Sequence, residues 1–251
     1  MTSTRTKFLT ARKLYSQCAR RVETTIQAAP AFTARLSEQI VGLGVACDWV
    51  RRAAEMETIS FLGDNLNDSS WQPSFVEMTR FGFAWYGINA IFSRKELLGL
   101  LGSCPDDSEL ERFRVLWNVA VARLPSLSSA VPSHEANLRS ILAQSTTPRM
   151  PDIAKGTTVT TLRAVITKYV PPESRTKGRA AKAMQDAAAT GNLSTLDLPI
   201  LLYVFRNWAI HGNALHGSFG SKPRFLAYVE SLSDILADVH IGTATALLPV
   251  L

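Results

Sequence analysis

Phe75-Val-Glu-Met-Thr-Arg-Phe-Gly-Phe-Ala-Trp-Tyr-Gly-Ile-Asn-Ala-Ile-Phe92 carries only Glu77 and Arg80 as charged side chains. Its apolar residues fall on most of the circumference of a helix, and no period of two runs through it. The stretch therefore predicts a long helix buried on several sides, the central helix of a helical core. Upstream, Gly63-Asp-Asn-Leu-Asn-Asp-Ser-Ser-Trp-Gln-Pro73 is a loop by composition. It divides the chain into an N-terminal helical region, 1–62, and a main helical domain, 63–251. In the first region apolar residues recur at helical spacing from Leu9 to about Ala28, Pro30 punctuates, and a second helix is expected from Arg35 to near Phe61.

Downstream of the central helix, Asp106 and Glu109 have the spacing of a capping box, and Leu110, Phe113, Trp117, Ala120 and Leu124 follow in steps of three and four. The segment from Pro125 to Pro151 is rich in Ser and Pro. It predicts only a short helix around Glu135 to Leu142, with His134 a surface residue. Thr157 to Thr161 is β-branched enough for a strand, yet Leu162, Val165, Ile166 and Tyr169 share a helical face, so a helix is expected. Pro171-Pro172 ends it, and a basic loop leads to an Ala-rich helix stopped by Gly191. A helix from about Leu196 to Ile210, a Gly-rich turn, and a last helix from Ser221 to His240 complete the chain, with Pro223 in the first turn of the last helix and Gly242 beyond its end. Other strand signals are missing, and the fold class is all-α.

With 251 residues, 46% hydrophobic and 19% charged, the chain is long and apolar enough to bury a core and too apolar for disorder. It contains no run of about 18 apolar residues such as a membrane span requires. Cys18, Cys47 and Cys104 are scattered and form no C-x-x-C, so neither a disulfide framework nor a thiolate zinc site is written here. A reducing, cytoplasmic compartment is expected. The formal charge of +6 comes wholly from Arg5, Lys7, Arg12, Lys13, Arg20 and Arg21, which precede the first acidic residue, Glu23. From there on basic and acidic residues balance. Three readings stay open for this basic segment: an organellar transit peptide, a solvated helix start, or an arm along an anionic partner such as RNA.

The chain lacks a G-x-x-x-x-G-K-[ST] loop, a strand-linked G-x-G-x-x-G, H-E-x-x-H, a G-x-S-x-G elbow and an EF-hand loop, so no cofactor is implied. His211 and His216, five apart, would point well away from each other on a continuous helix, which speaks against a shared metal. The constellation that carries chemistry is Leu201-Leu-Tyr-Val-Phe-Arg-Asn-Trp-Ala-Ile-His-Gly212. An apolar helix closes on an Arg, an Asn and a His, and Gly212 stands where a helix C-cap belongs. Arg206 and His211 lie about 140° apart on an ideal helix. They converge only if the helix ends between them. An Arg and a His suit RNA cleavage by the 2′-OH: His moves protons near neutral pH, and the Arg fork holds the phosphate and its transition-state charge.

The run Tyr203-x-x-Arg206-Asn207-x-x-x-His211-Gly212, following an apolar helix, resembles the R-x4-6-H signature of the HEPN family (higher eukaryotes and prokaryotes nucleotide-binding). Met78 to Phe92 looks like that family's long aromatic helix. The resemblance covers roughly residues 73 to 240 and is specific in about ten positions. It implies a helical bundle, usually a homodimer, and in many members a metal-independent endoribonuclease of toxin or antiviral-defence systems. Such enzymes have a neutralising antitoxin or regulatory partner, for which the helices before residue 63 offer a surface. The implied catalytic residues are Arg206 for the phosphate, His211 for proton transfer, and Asn207 to orient either. One branch carries a Tyr two residues after the His; here that position is Asn213, which removes the site for that branch's control by nucleotidyl transfer.

Arg175, Lys177, Arg179 and Lys182 have the density of an RNA-backbone contact, or of a solvated loop, and His216 is an accessory phosphate contact or a loop histidine. Trp85, Tyr86 and Phe92 read as core, and Phe219 as the better stacking candidate. A non-catalytic nucleotide- or RNA-binding module and a plain helical scaffold remain the alternatives to an enzyme.

Overall fold

The computed structural model describes residues 3–60, 72–102, 109–143, 197–210 and 222–251. Among them are eight α-helices and no strand: α1 (Thr4–Ala28), α2 (Thr33–Glu55), α3 (Gln72–Phe92), α4 (Lys95–Leu100), α5 (Glu109–Arg123), α6 (Pro125–Ala143), α7 (Leu198–Ile210) and α8 (Lys222–Leu247). The all-α expectation holds. No helix of the described residues is long and apolar enough to cross a membrane. The chain forms two compact units, one of Met1–Met56, Thr79–Ala130 and Ser233–Leu251, the other of Glu57–Met78 and Val131–Leu232.

In the first unit, α1 begins at Thr4 rather than Leu9, because the Ser3 side chain accepts the Thr6 N–H and caps the helix one turn earlier. Its inner face, Phe8, Ala11, Tyr15, Cys18 and Val22, follows the three-four rhythm and is buried. A 3-10 turn at Pro30–Phe32 leads into α2, and Cys47 Sγ lies 3.7 Å from the Arg12 carbonyl, so the two helices pack side by side as a hairpin. Helix α2 stops at Glu55, short of the expected Phe61. Arg80 on α3 explains the stop: Nε donates to the Ala53 carbonyl at 3.1 Å and Nη2 to that of Met56 at 2.6 Å. These are carbonyls that the end of a helix leaves without an intrahelical donor.

From Thr79 to Phe92, α3 is buried on several sides, as the sequence predicts. Phe81 stacks on Trp85, and Trp85 and Phe92 pack with Phe113 of α5, the Trp85 and Phe113 rings 4.7 Å apart. Tyr86 departs from the core expectation: it is 39% exposed and lies against Trp49, at 5.1 Å. On α5, Leu110, Phe113, Trp117 and Ala120 are buried, as is Leu116, while Leu124, just past the helix end, is half-buried.

The largest corrections concern proline and glycine. Helix α6 spans 19 residues with Pro132 inside it, where the sequence suggested only a short helix near Glu135. Pro125 opens the helix, a position where the missing N–H costs nothing, and Leu127, Leu138 and Ile141 are buried along it. Burial of that face outweighs one lost ladder bond. His134, expected at the surface, is half-buried on this helix. Helix α8 runs past Gly242 to Leu247. Gly242 is not a stop: a Cβ there would come within 2.7 to 2.8 Å of the Cα, Cβ and carbonyl oxygen of Ala120. The glycine lets the backbones of α5 and α8 touch.

The second unit holds α7 and the first part of α8. Helix α7 starts at Leu198, where Asp197 accepts the Ile200 N–H at 3.2 Å. Leu198, Ile200, Leu201, Leu202, Tyr203 and Phe205 are buried, and the Phe205 ring meets Tyr228 edge-on at 5.8 Å. On α6, Asn137 donates to Ser231 Oγ of α8 at 2.8 Å. Pro223 sits in the first turn of α8, as expected. Of the loop expected at 63–73, residues 63–71 lie outside the described residues and Gln72 and Pro73 open α3. The helix-or-strand segment 157–169 and the Ala-rich helix before Gly191 also lie outside them.

Candidate functional site

Helix α7 brings Arg206 and Asn207 to its last turns. Arg206 Nη1 donates to Asn207 Oδ1 at 2.5 Å, and its guanidinium carbon lies 5.9 Å from the centre of the Tyr203 ring, one turn earlier. The distance to Tyr203 is within reach of a cation–π contact. Asn207 is 6% exposed and Arg206 half-buried. An apolar helix thus ends on a guanidinium whose direction is set by two neighbours on the same helix. The amide oxygen of Asn207 faces the Arg, so this residue orients Arg206.

His211, Gly212, His216 and Phe219 lie outside the described residues, as do Arg175, Lys177, Arg179 and Lys182. The described part of the expected site is Arg206, Asn207 and Tyr203. Tyr228, beside Phe205, is fully buried, which pushes its hydroxyl well above the usual phenol range and leaves it a neutral packing group. Among the described thiols, burial pushes Cys18 up to about 12 and raises Cys47 as well, which favours the protonated thiol in both.

A second polar constellation, in the first unit, was missed from the sequence. His240 is fully buried on α8. Its Nε2 lies 2.8 Å from the Ala84 carbonyl and its Nδ1 3.0 Å from the Tyr15 hydroxyl. A carbonyl only accepts, so Nε2 carries the proton and Nδ1 accepts from Tyr15. Burial lowers the imidazole to about 4, with the Ala84 bond opposing that shift. The ring is neutral near pH 7 and fastens α1, α3 and α8 together. One signal for it was present: His240 falls in the apolar rhythm Leu236, Val239, Thr243, Leu247, all of them buried.

Lys7 forms a further link in that unit. Its Nζ lies 2.8 Å from Asp234 and 2.7 Å from Asp238. Burial opposes its charge, but the two hydrogen-bonded carboxylates outweigh burial and hold its pKa above the usual lysine value.

Compared with protein-family models, curated proteins and solved structures, the chain matches none. The resemblance of Arg206-Asn207-x-x-x-His211-Gly212 to the HEPN signature therefore stands on the residues alone.

Proposed function

We propose that the chain is a metal-independent endoribonuclease of the HEPN type, acting in a toxin or antiviral-defence system as a homodimer with an antitoxin or regulatory protein partner. The observation that carries this reading is the hydrogen-bonded Arg206–Asn207 pair in the last turns of α7, directly before His211 in the chain. A guanidinium aimed by a buried amide suits the equatorial oxygens of a pentacoordinate phosphate, because its orientation is set before substrate arrives. In the reaction the 2′-oxygen bonds to the adjacent phosphorus and the bond from phosphorus to the 5′-oxygen breaks. His211 takes the 2′-OH proton, and a protonated His211, its own or that of a second copy, gives one to the leaving oxygen. The products are a 2′,3′-cyclic phosphate and a 5′-hydroxyl. Arg206 binds the phosphate throughout and Asn207 positions Arg206. His216 and the Arg175, Lys177 and Arg179 cluster supply further backbone contacts.

The burial of Asn207 favours a second reading, in which the pair closes a helix end and the domain binds nucleotide or RNA without turnover, or serves as a scaffold. Incubation of the protein with total RNA and tRNA in excess EDTA separates these readings. An enzyme yields fragments with 2′,3′-cyclic ends, and His211→Ala and Arg206→Ala each lower the rate at least about 100-fold. Cleavage that vanishes with the chelator, or that His211→Ala leaves unchanged, would sink the enzyme.

A further inference from the structure

The six cations that give the chain its excess charge divide into two kinds on α1. Lys7 is held by Asp234 and Asp238, and Arg21 donates to the Leu248 carbonyl at 2.6 Å. Both reach α8 or the residue just after it. Arg5, Arg12, Lys13 and Arg20 are turned to another side of the helix and are exposed, with Arg12 also hydrogen-bonded to Cys47 of α2. At about 100° per residue they fall within roughly a quarter turn, a single stripe about 22 Å long. Between them stand Leu9, Ser16 and Gln17, which with Arg12, Lys13 and Arg20 line one shallow depression of about 330 Å³. No acidic residue occurs on the helix before Glu23. The acids of the neighbouring α2 are turned to other partners: Glu38 to Arg94, Asp48 and Glu55 to Arg51.

We propose that this face of α1 is a binding surface for the phosphate backbone of RNA. The face is nearly all polar, with Leu9 its one large apolar residue, while the apolar side of the helix is buried in the core. A helix that settles into a lipid surface needs its apolar side free for the headgroup boundary. Here that side is occupied, so the charge complementarity fits a polyanion in water. Three of the four cations are arginines, whose planar fork matches phosphate oxygens. Contacts of this kind read the backbone and not the bases, and are strongly salt-dependent. The choice of RNA among polyanions rests on the proposed function, while the surface itself rests on the stripe.

The test uses a fluorescent 2′-O-methyl oligoribonucleotide, which has no free 2′-OH to attack, so binding is read apart from cleavage. Anisotropy is titrated at several sodium chloride concentrations for the full chain, for Arg12→Gln/Lys13→Gln/Arg20→Gln, and for Arg206→Ala. The triple variant is expected to bind at least tenfold more weakly and to lose about 2 from the slope of log affinity against log salt, at about 0.7 per single-strand phosphate contact. Arg206→Ala loses no more than a single contact's share. Circular dichroism matching wild type shows that the triple variant folds. The proposal is overturned if the triple variant keeps the wild-type slope and affinity, if wild type does not bind the probe, or if it instead binds phosphatidylserine vesicles through these residues. Binding that depends on the stripe in a protein that never cleaves RNA upholds this proposal and removes the enzyme.

Discussion

At His240 both ring nitrogens are spent inside the protein, one on Ala84 and one on Tyr15, and the ring has no exposure. At Arg206 the polar group sits half-buried in the last turns of a helix, its direction set by Asn207 and Tyr203. Both lie on helices rich in buried apolar residues. The difference is exposure: His240 has none and is closed off as a fastener within the fold, while Arg206 keeps part of its surface at a helix end. A histidine in this chain is therefore not by that fact a catalyst. His240, one of two histidines among the described residues, is kept neutral and closed to solvent by its surroundings.

Acid is the strongest way to break the comparison. In the unfolded chain a histidine takes up its proton near pH 6.5, whereas folded His240 does so only near 4. Its neutral form therefore contributes stability that is present above pH 6.5 and is lost as pH falls toward 4. The expected loss is about 3 kcal/mol over that interval, from 1.36 kcal/mol per pH unit of difference. Urea denaturation at steps from pH 7.5 to 4.5 measures it, and His240→Gln should be less stable at pH 7 but show a flatter profile. An equally steep profile in that variant would mean that other groups carry the acid sensitivity.

Gly242→Ala comes next. The added methyl meets backbone atoms of Ala120, which do not step aside as a flexible side chain would. A loss of about 2 to 3 kcal/mol is expected in the same urea experiment. A gain of about 1 kcal/mol, as helix propensity alone would give, would show that α5 and α8 do not touch there.

Tyr15→Phe leaves His240 Nδ1 without its donor, at a cost of about 1 to 2 kcal/mol. Combined with His240→Gln it should cost less than the sum of the two, the mark of a shared interaction. Arg206→Met sharpens the contrast from the other side: it leaves the buried Asn207 Oδ1 without the Arg206 donor, so a loss of about 1 kcal/mol is expected. RNA cleavage should be lost as well. A large stability loss with no RNA phenotype would make Arg206 a fastener of the same kind as His240.

The sequence was most legible where a pattern repeats. The Phe75–Phe92 stretch reads directly as a helix buried on several sides, because a period of 3.6 with few polar interruptions has few other solutions. Arg206 and Asn207 were named from the sequence, and their mutual hydrogen bond follows from the structure. Single residues misled where the reading treated them as punctuation. Pro132 lies inside a helix because the buried face outweighs one missing bond. Gly242 marks a contact between helices because its lack of a Cβ serves Ala120, more than a hundred residues away in sequence. Tyr86 was read as core from its spacing, but a helix covered on several sides still leaves one position open to solvent.

The chain by itself determined the all-α class, most of the helices among the described residues, and the Arg-Asn-His order at the end of α7, since these depend on local periodicity and on residues adjacent in sequence. Only the tertiary structure decided that Lys7 and Arg21 reach α8 or the residue just after it while Arg12, Lys13 and Arg20 face outward, and that His240 is a neutral buried link. These outcomes depend on which distant atom completes a hydrogen bond or fills a gap. Such pairings connect residues over two hundred positions apart, as Tyr15 and His240 are, and no spacing along the chain encodes them.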